Sequence, residues 1–281
     1  MRTTVMTRSF ALVALALAAC EPNRTVPERD AFVPQAVQPL ECVPNLDGRI
    51  EASEIRTAFG VPVRYLVNPV GSRRPVDLAG VTDPAGRRVW QLSTDYADDQ
   101  IATLQASRLD GKWYRASFPT GQFVAALDLA GSLEGVYAND GQTLTLLGYA
   151  STREMPPEGR TLVTYSTPIA TFRFPLEPGK QWVTASEVRN ATVRGLPYAG
   201  RDTYQIRIDG SGALELPDVA FTQALRVRTT LSIEPAVGVP VIRRQVGFVF
   251  ECFGEVARAV SQDNEMTDDF TTTTELRRLG F

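Results

Sequence analysis

The chain has 281 residues, 29 Lys+Arg against 32 Asp+Glu, three cysteines and no histidine, with a hydrophobic fraction of 43%. Without histidine there is no Ser-His-Asp or Cys-His catalysis, no histidine metal site and no histidine pH switch. Acid-base chemistry is left to carboxylates, tyrosines and two lysines, Lys112 and Lys180, and a net charge of −3 argues against a general nucleic-acid or anionic-membrane binder.

The chain opens with Arg2 and Arg8, then an apolar run from Phe10 to Ala19. That run is too short to span a bilayer, which takes about 20 residues, and has the layout of an export signal. It ends in Leu17-Ala18-Ala19-Cys20. This segment resembles a bacterial lipoprotein precursor with its lipobox. The resemblance implies that residues 1–19 are removed and that Cys20 is acylated on its thiol and amine, anchoring the protein to a bilayer. Several acyl chains anchor stably where one does not. Glu21 stands where the enterobacterial inner-membrane retention pattern has aspartate, which points to the outer membrane. Residues 20–41 carry Pro22, Pro27, Pro34 and Pro39 and read as an extended tether.

Two cysteines remain, Cys42 and Cys252. In an oxidising compartment they form one disulfide, which on the chain-entropy view stabilises by about 5 kcal/mol for so long a loop, or else stay as two buried thiols. A disulfide would leave no cysteine nucleophile.

The rest of the chain predicts an all-β fold, an antiparallel sandwich or half-open barrel. The helix candidate is 51–59, with Ala52, Ile55 and Phe59 on one face and Gly60 and Pro62 at its end. Leu225, Val227, Leu231 and Ile233 alternate with Arg226, Arg228, Thr230, Ser232 and Glu234, and Tyr204, Ile206 and Ile208 alternate with Gln205, Arg207 and Asp209. Val246, Phe248, Phe250 and Cys252 share one face of another strand. Asp110-Gly111, Asp140-Gly141 and Asp209-Gly210 predict hairpins at 100–118, 131–149 and 203–217. Met155-Pro156-Pro157-Glu158-Gly159 either separates β regions 42–155 and 156–281 or is a loop within one sheet system. Residues 174–182, 212–217 and 224–228 resemble segments of a type of β-rich envelope lipoprotein from GC-rich bacteria. That resemblance implies a β fold and no particular activity.

Four groups of residues have the composition of a site. Asn45, Asp47, Gly48 and Glu54 match later positions of an EF-hand calcium loop, whose oxygens close around the ion after a glycine turn. Val43 replaces the first aspartate and no helix precedes the loop, so an Asp-Gly turn before a short helix is the competing reading. Asp95, Asp98 and Asp99 either bind a cation, supply a glycosidase pair or form a solvated loop. Asp263, Glu265, Asp268 and Asp269 read as a polar loop before a last strand, with 271–278 an edge strand or tail. Lys112 and Lys180 lie in turns and lack Ser-x-x-Lys spacing. Trp90, Trp113 and Trp182 fit core packing better than a ligand cleft.

Together these readings point to a non-enzymatic envelope lipoprotein. Its partners would be the bilayer through Cys20 and an envelope protein or apolar ligand, without nucleic acid, and it would need no cofactor unless calcium binds at 45–54. A half-barrel carrier of a lipid or other apolar ligand is the alternative, and would keep a concave sheet face apolar yet unfilled. A carboxylate hydrolase ranks third.

Overall fold

The computed structural model describes residues 42–55 and 59–280. The export signal, Cys20 and the tether lie outside the described residues, as do positions 56–58 of the expected helix. In chain order the strands are β1 (Val63–Val67), β2 (Arg74–Pro75), β3 (Val81–Thr82), β4 (Arg88–Gln91), β5 (Gln100–Leu104), β6 (Ser107–Arg108), β7 (Phe123–Ala126), β8 (Leu133–Asn139) and β9 (Thr143–Ser151). They continue with β10 (Leu162–Arg173), β11 (Gln181–Val193), β12 (Leu196–Glu215), β13 (Ala220–Pro235), β14 (Val241–Phe250), β15 (Gly254–Val260), β16 (Thr272–Thr273) and β17 (Glu275–Leu279).

The fold is all-β. Fifteen strands make one sheet in the order β5-β1-β17-β15-β14-β13-β12-β11-β10-β9-β8-β7-β6, with β3 and β4 added beside β12. The pairs along that order are antiparallel, whereas β4 runs parallel to β12. The end strands β5 and β6 are separated in sequence by only Gln105 and Ala106, so the sheet curls back on itself. Among the described residues no ladder between them closes it. The Met155–Gly159 segment lies in the loop between β9 and β10, which pair with each other, and the described residues make one compact unit.

The hairpin at 131–149 forms as β8 and β9. Gly141 takes φ 85° there, and the Asp140 carboxylate accepts the N–H groups of Gln142 and Thr143 at 2.9 and 2.7 Å. The other two hairpins do not form. After Asp110-Gly111 the chain enters a 3₁₀ turn at Arg115–Ser117, because Tyr114 and Phe118 bury against Leu109, Val124 and Val136. Asp209-Gly210 lies inside β12, which runs on for 20 residues. Here Asp209 is held by arginines of the neighbouring strand, and Gly212 lets β4 approach: a Cβ there would meet the Arg88 carbonyl at 2.3 Å. Tertiary pairing has overridden the local turn signal.

The expected helix at 51–59 is a single 3₁₀ turn, Ala52–Glu54, and Phe59 bridges to Ala106 instead. The Glu54 side chain turns back to accept the Glu51 N–H at 2.8 Å. The Glu54 carbonyl accepts the Cys252 N–H at 2.9 Å, which diverts it from helix propagation. Residues 275–279 are no edge: β17 lies between β1 and β15. Cys252 is not on β14 but in the turn after it, at φ 67°. Its sulfur is bonded to that of Cys42 across a sequence separation of 210, so no free thiol remains among the described residues.

The two faces of β12–β15 are covered differently. On one, Val246, Phe248, Phe250, Val256 and Ala257 pack with Trp90, Leu214, Phe221, Phe270 and Leu276 in the largest core. Trp90 is fully buried and donates its indole N–H to the Leu78 carbonyl at 3.1 Å. Arg226 and Arg228 of β13 are buried on this face. Both donate to the Asp209 carboxylate, and they reach the Leu78 carbonyl and Asp269 respectively. Burial alone would raise the Asp209 carboxyl, but the hydrogen bonds and positive charge of the two arginines outweigh it and hold it below the usual range. On the opposite face Ile206, Ile208, Leu225, Val227 and Val249 pack with Ile50, Leu176 and Trp182 at one end only.

Removing one partner of a buried ion pair strands the other charge. Asp209→Ala is therefore expected to lower the unfolding free energy by about 3–5 kcal/mol in urea titrations at neutral pH. The difference from wild type shrinks in acid, because a carboxylate whose folded pKa is lowered contributes stability above its unfolded value and loses it as pH falls through the folded one. Replacing both Cys42 and Cys252 by Ser is expected to cost about 2–5 kcal/mol in the same assay.

Candidate binding cleft

Between the Ile50, Leu176 and Trp182 plug and a second packed cluster of Leu146, Tyr165, Ile169 and Val188, joined by Tyr149 and Tyr204, the concave face is not filled. A cleft of about 550 Å³ opens there, lined from both sides of the curl. On one side stand Ile206 of β12, Val227, Leu231 and Ile233 of β13 and Val249 of β14; on the other stand Phe123 of β7, Tyr137 of β8, Leu144 and Leu146 of β9 and Phe172 of β10. Strand register places these side chains. Tyr204 pairs with Leu231, and Leu231 with Arg243, so residues of equal parity on three strands project to one side.

Polar groups enter this surface at two places. Near the plugged end Glu255 and Arg258 pair at 2.7 Å. Burial disfavours the guanidinium charge, but the Glu255 carboxylate more than compensates and raises the Arg258 pKa. Tyr137, stacked on Phe123 with centroids 5.5 Å apart, is pushed up to about 12, chiefly by burial.

The second polar place lies toward the other end, around Asp202. Tyr165 donates its hydroxyl to Asp202 Oδ2 at 2.9 Å and lies 3.2 Å from the Tyr204 hydroxyl. The Tyr149 and Tyr204 rings meet the Tyr165 ring edge-on at 6.3 and 6.4 Å. Asp202 is 4% exposed, and its Oδ1 has no hydrogen-bond partner. Burial raises its pKa, opposed only by the Tyr165 hydrogen bond. The same burial, reinforced by Tyr204 and Asp202, drives the Tyr165 hydroxyl well up.

The residues marked in the sequence are elsewhere. Asn45, Asp47 and Glu54 are close together, but their oxygens are engaged by the chain itself. Asn45 accepts the Asp47 N–H at 2.8 Å, Asp47 accepts the Arg49 N–H at 3.0 Å, and Glu54 accepts the Asn45 amide at 2.9 Å. Among the described residues no group of three or more carboxylate or thiol side chains is placed to hold a metal. Asp98 and Asp99 are held by arginines: Arg74 donates to Asp98 at 2.5 Å, and the buried Arg278 donates to Asp99. Asp263, Asp268 and Asp269 likewise bind Arg243, Arg207 and Arg228. Lys112 pairs with Glu134 at 2.8 Å and Lys180 with Glu177 at 3.2 Å. Trp90 and Trp182 are core residues, and the half-buried Trp113 packs beside Tyr114.

The tyrosine cluster escapes a sequence reading because Tyr149, Tyr165, Asp202 and Tyr204 come from three strands. One signal was present: Asp202 has the parity of Tyr204, Ile206 and Ile208, so an inward face carries an acid. Comparison with protein-family models, with curated proteins and with solved structures returned no match.

A carboxyl whose folded pKa is raised contributes stability below its unfolded pKa and loses it as pH rises through the folded value. Asp202→Asn keeps an acceptor for Tyr165 and removes that loss. It is expected to match wild type in acid and to exceed it at neutral pH, read from urea midpoints at the two pH values.

Proposed function

We propose that this chain is a lipid-anchored protein of the bacterial envelope, most consistent with the outer membrane, whose folded body binds an apolar or amphiphilic small molecule in the concave cleft without chemically transforming it. The unfilled cleft carries the reading. Its volume, about 550 Å³, suits a ligand site, and an apolar wall with a few convergent polar groups is the usual make-up of such sites. An interior of this size would normally be filled by side chains. The lipobox resemblance at Cys20 supports the anchor, and residues 20–41 would form the tether. The ion pairs that occupy Asp98, Asp99, Lys112 and Lys180 favour binding over hydrolysis.

A second reading, docking of an envelope protein, draws on the loop end of the sheet. There Met155, Leu196, Val237 and Val239 are exposed at the tips of three neighbouring hairpins, and exposed apolar clusters are frequent contact sites.

Leu231→Trp places an indole in the cleft. In the ligand-binding reading it is expected to weaken binding of an environment-sensitive apolar dye by about tenfold or more while leaving the fold intact by circular dichroism. Native mass spectrometry of protein from the periplasm should show a co-purifying small-molecule adduct that this variant lacks. Dye binding indifferent to Leu231→Trp would reject the cleft as the site.

A further inference from the structure

Taking the cleft as the binding site, we propose that its ligand is an amphiphile with a cationic amine head. The head sits against Asp202 among the rings of Tyr149, Tyr165 and Tyr204, and the chain runs along Leu231 and Ile206 toward the plugged end.

The argument starts from how this protein treats its other buried acids. Arginines hold Asp99 and Asp209. The buried Glu251 accepts two backbone N–H groups, from Asn45 and Leu46, at 2.7 and 2.9 Å, and among the described residues it pairs with no cation. Asp202 has one tyrosine hydroxyl and a buried oxygen with nothing bound to it. A buried carboxylate left so poorly compensated is costly, and a ligand that brings a positive charge or N–H donors removes the cost.

The cleft's other charges point the same way. Of the charged residues that line it, Arg258 is paired with Glu255 and Arg243 with Asp263, while Asp128 accepts from the Ser132 N–H at 2.7 Å. The two positive charges are therefore already matched, and the unmatched charge is negative. An anionic head would meet repulsion at Asp202 with no free cation to offset it.

The surroundings of Asp202 suit an amine in particular. Tyr165, whose hydroxyl bonds it, meets the rings of Tyr149 and Tyr204 edge to face. Aromatic faces beside a carboxylate attract ammonium groups, methylated ones included, through the ring quadrupole. The position is also right for an amphiphile. Asp202 pairs with Ile233, and the next inward register row holds Tyr204 and Leu231, followed by Ile206 and Thr229. A head at Asp202 thus has Leu231, Ile206 and Val227 ahead of it on the way to the Ile50 and Leu176 plug, flanked on β14 by Arg243 and Gln245.

The test uses the full chain with Cys20→Ala, loaded with an apolar fluorescent dye. Dodecyltrimethylammonium, dodecyl maltoside and dodecanoate, each below its micelle threshold, compete for the dye. The chain length is constant and only the head changes. The expected result is that the cation displaces the dye at a concentration about tenfold lower than the neutral probe, with the anion weakest. In Asp202→Asn the ratio between cation and neutral probe should collapse to within about twofold. Equal displacement by all three heads in wild type would overturn the assignment of the head while leaving the cleft as an apolar site. So would an unchanged preference in Asp202→Asn. If no probe displaces the dye, or if displacement is insensitive to Leu231→Trp, the cleft reading falls and the head assignment with it.

Discussion

The architecture depends on one electrostatic clamp, the Asp209 carboxylate held between Arg226 and Arg228. These arginines occupy positions on β13 that face away from the cleft, where a two-layer β protein would have apolar residues. They are buried because Asp209, Asp269 and the carbonyls of Leu78 and Asp268 satisfy them. Through them the segments carrying Leu78 and Asp268 are drawn down over the sheet. Arg226 also lies over the Trp90 ring, 5.2 Å from its centroid, tying the clamp to the largest core. With that face covered by the largest core and these ion pairs, the opposite face of the same strands is left to the curl of the sheet itself. The curl of β7–β10 can then stand off from it and leave a cleft.

A related clamp joins β17 to the segment between β4 and β5. Arg278 is 1% exposed, binds Asp99 and donates to the carbonyls of Leu92 and Thr94 at 2.8 and 2.5 Å. Together with the Cys42–Cys252 bond, it ties early segments to late strands. Such non-local pairing is a feature of sheets with long-range connections, which form only after large loops close. Polar side chains are thus used here as internal fasteners, which is why a chain with few lysines and many arginines suits this fold: a planar guanidinium can satisfy several acceptors at once.

The sequence made the fold class legible because periodicity survives any tertiary context. The alternation at 225–233 and 204–208 and the Asp140-Gly141 hairpin are local facts, and the structure keeps them. What alternation does not say is how each face is covered. Arg226 and Arg228, polar members of the alternation, are buried, whereas Leu231 and Ile233, apolar members, line open space. Asp209-Gly210 read as a turn because turn propensity is local, whereas the cross-strand arginines that hold Asp209 at a bulge within β12 lie 17 and 19 residues away. Residues 271–278 read as an edge strand or tail because charged residues are usually solvated, and the acceptors that bury Arg278 lie 179 to 186 residues earlier. The tyrosine cluster was hidden for the same reason, since its members meet only when β9, β10 and β12 are aligned.

The contrast between the clamps and Asp202 gives the cleft its chemical meaning. Elsewhere, buried carboxylates meet guanidinium or backbone N–H groups, so the sequence has ways of compensating an interior acid. An arginine on β13 opposite Asp202 would do the same, yet that position is Ile233, and its neighbour on β14 is Val241. The outward-facing row of the same strands carries cations at Arg226 and Arg228, whereas the inward row facing Asp202 carries none at its paired positions. A carboxyl buried among tyrosine rings, where the Leu146, Ile169 and Val188 cluster meets the cleft, retains an unspent interaction. Its burial disfavours the charged form until a donor arrives, and that dependence makes the site selective for the head of a ligand whose chain the apolar walls accept without discrimination.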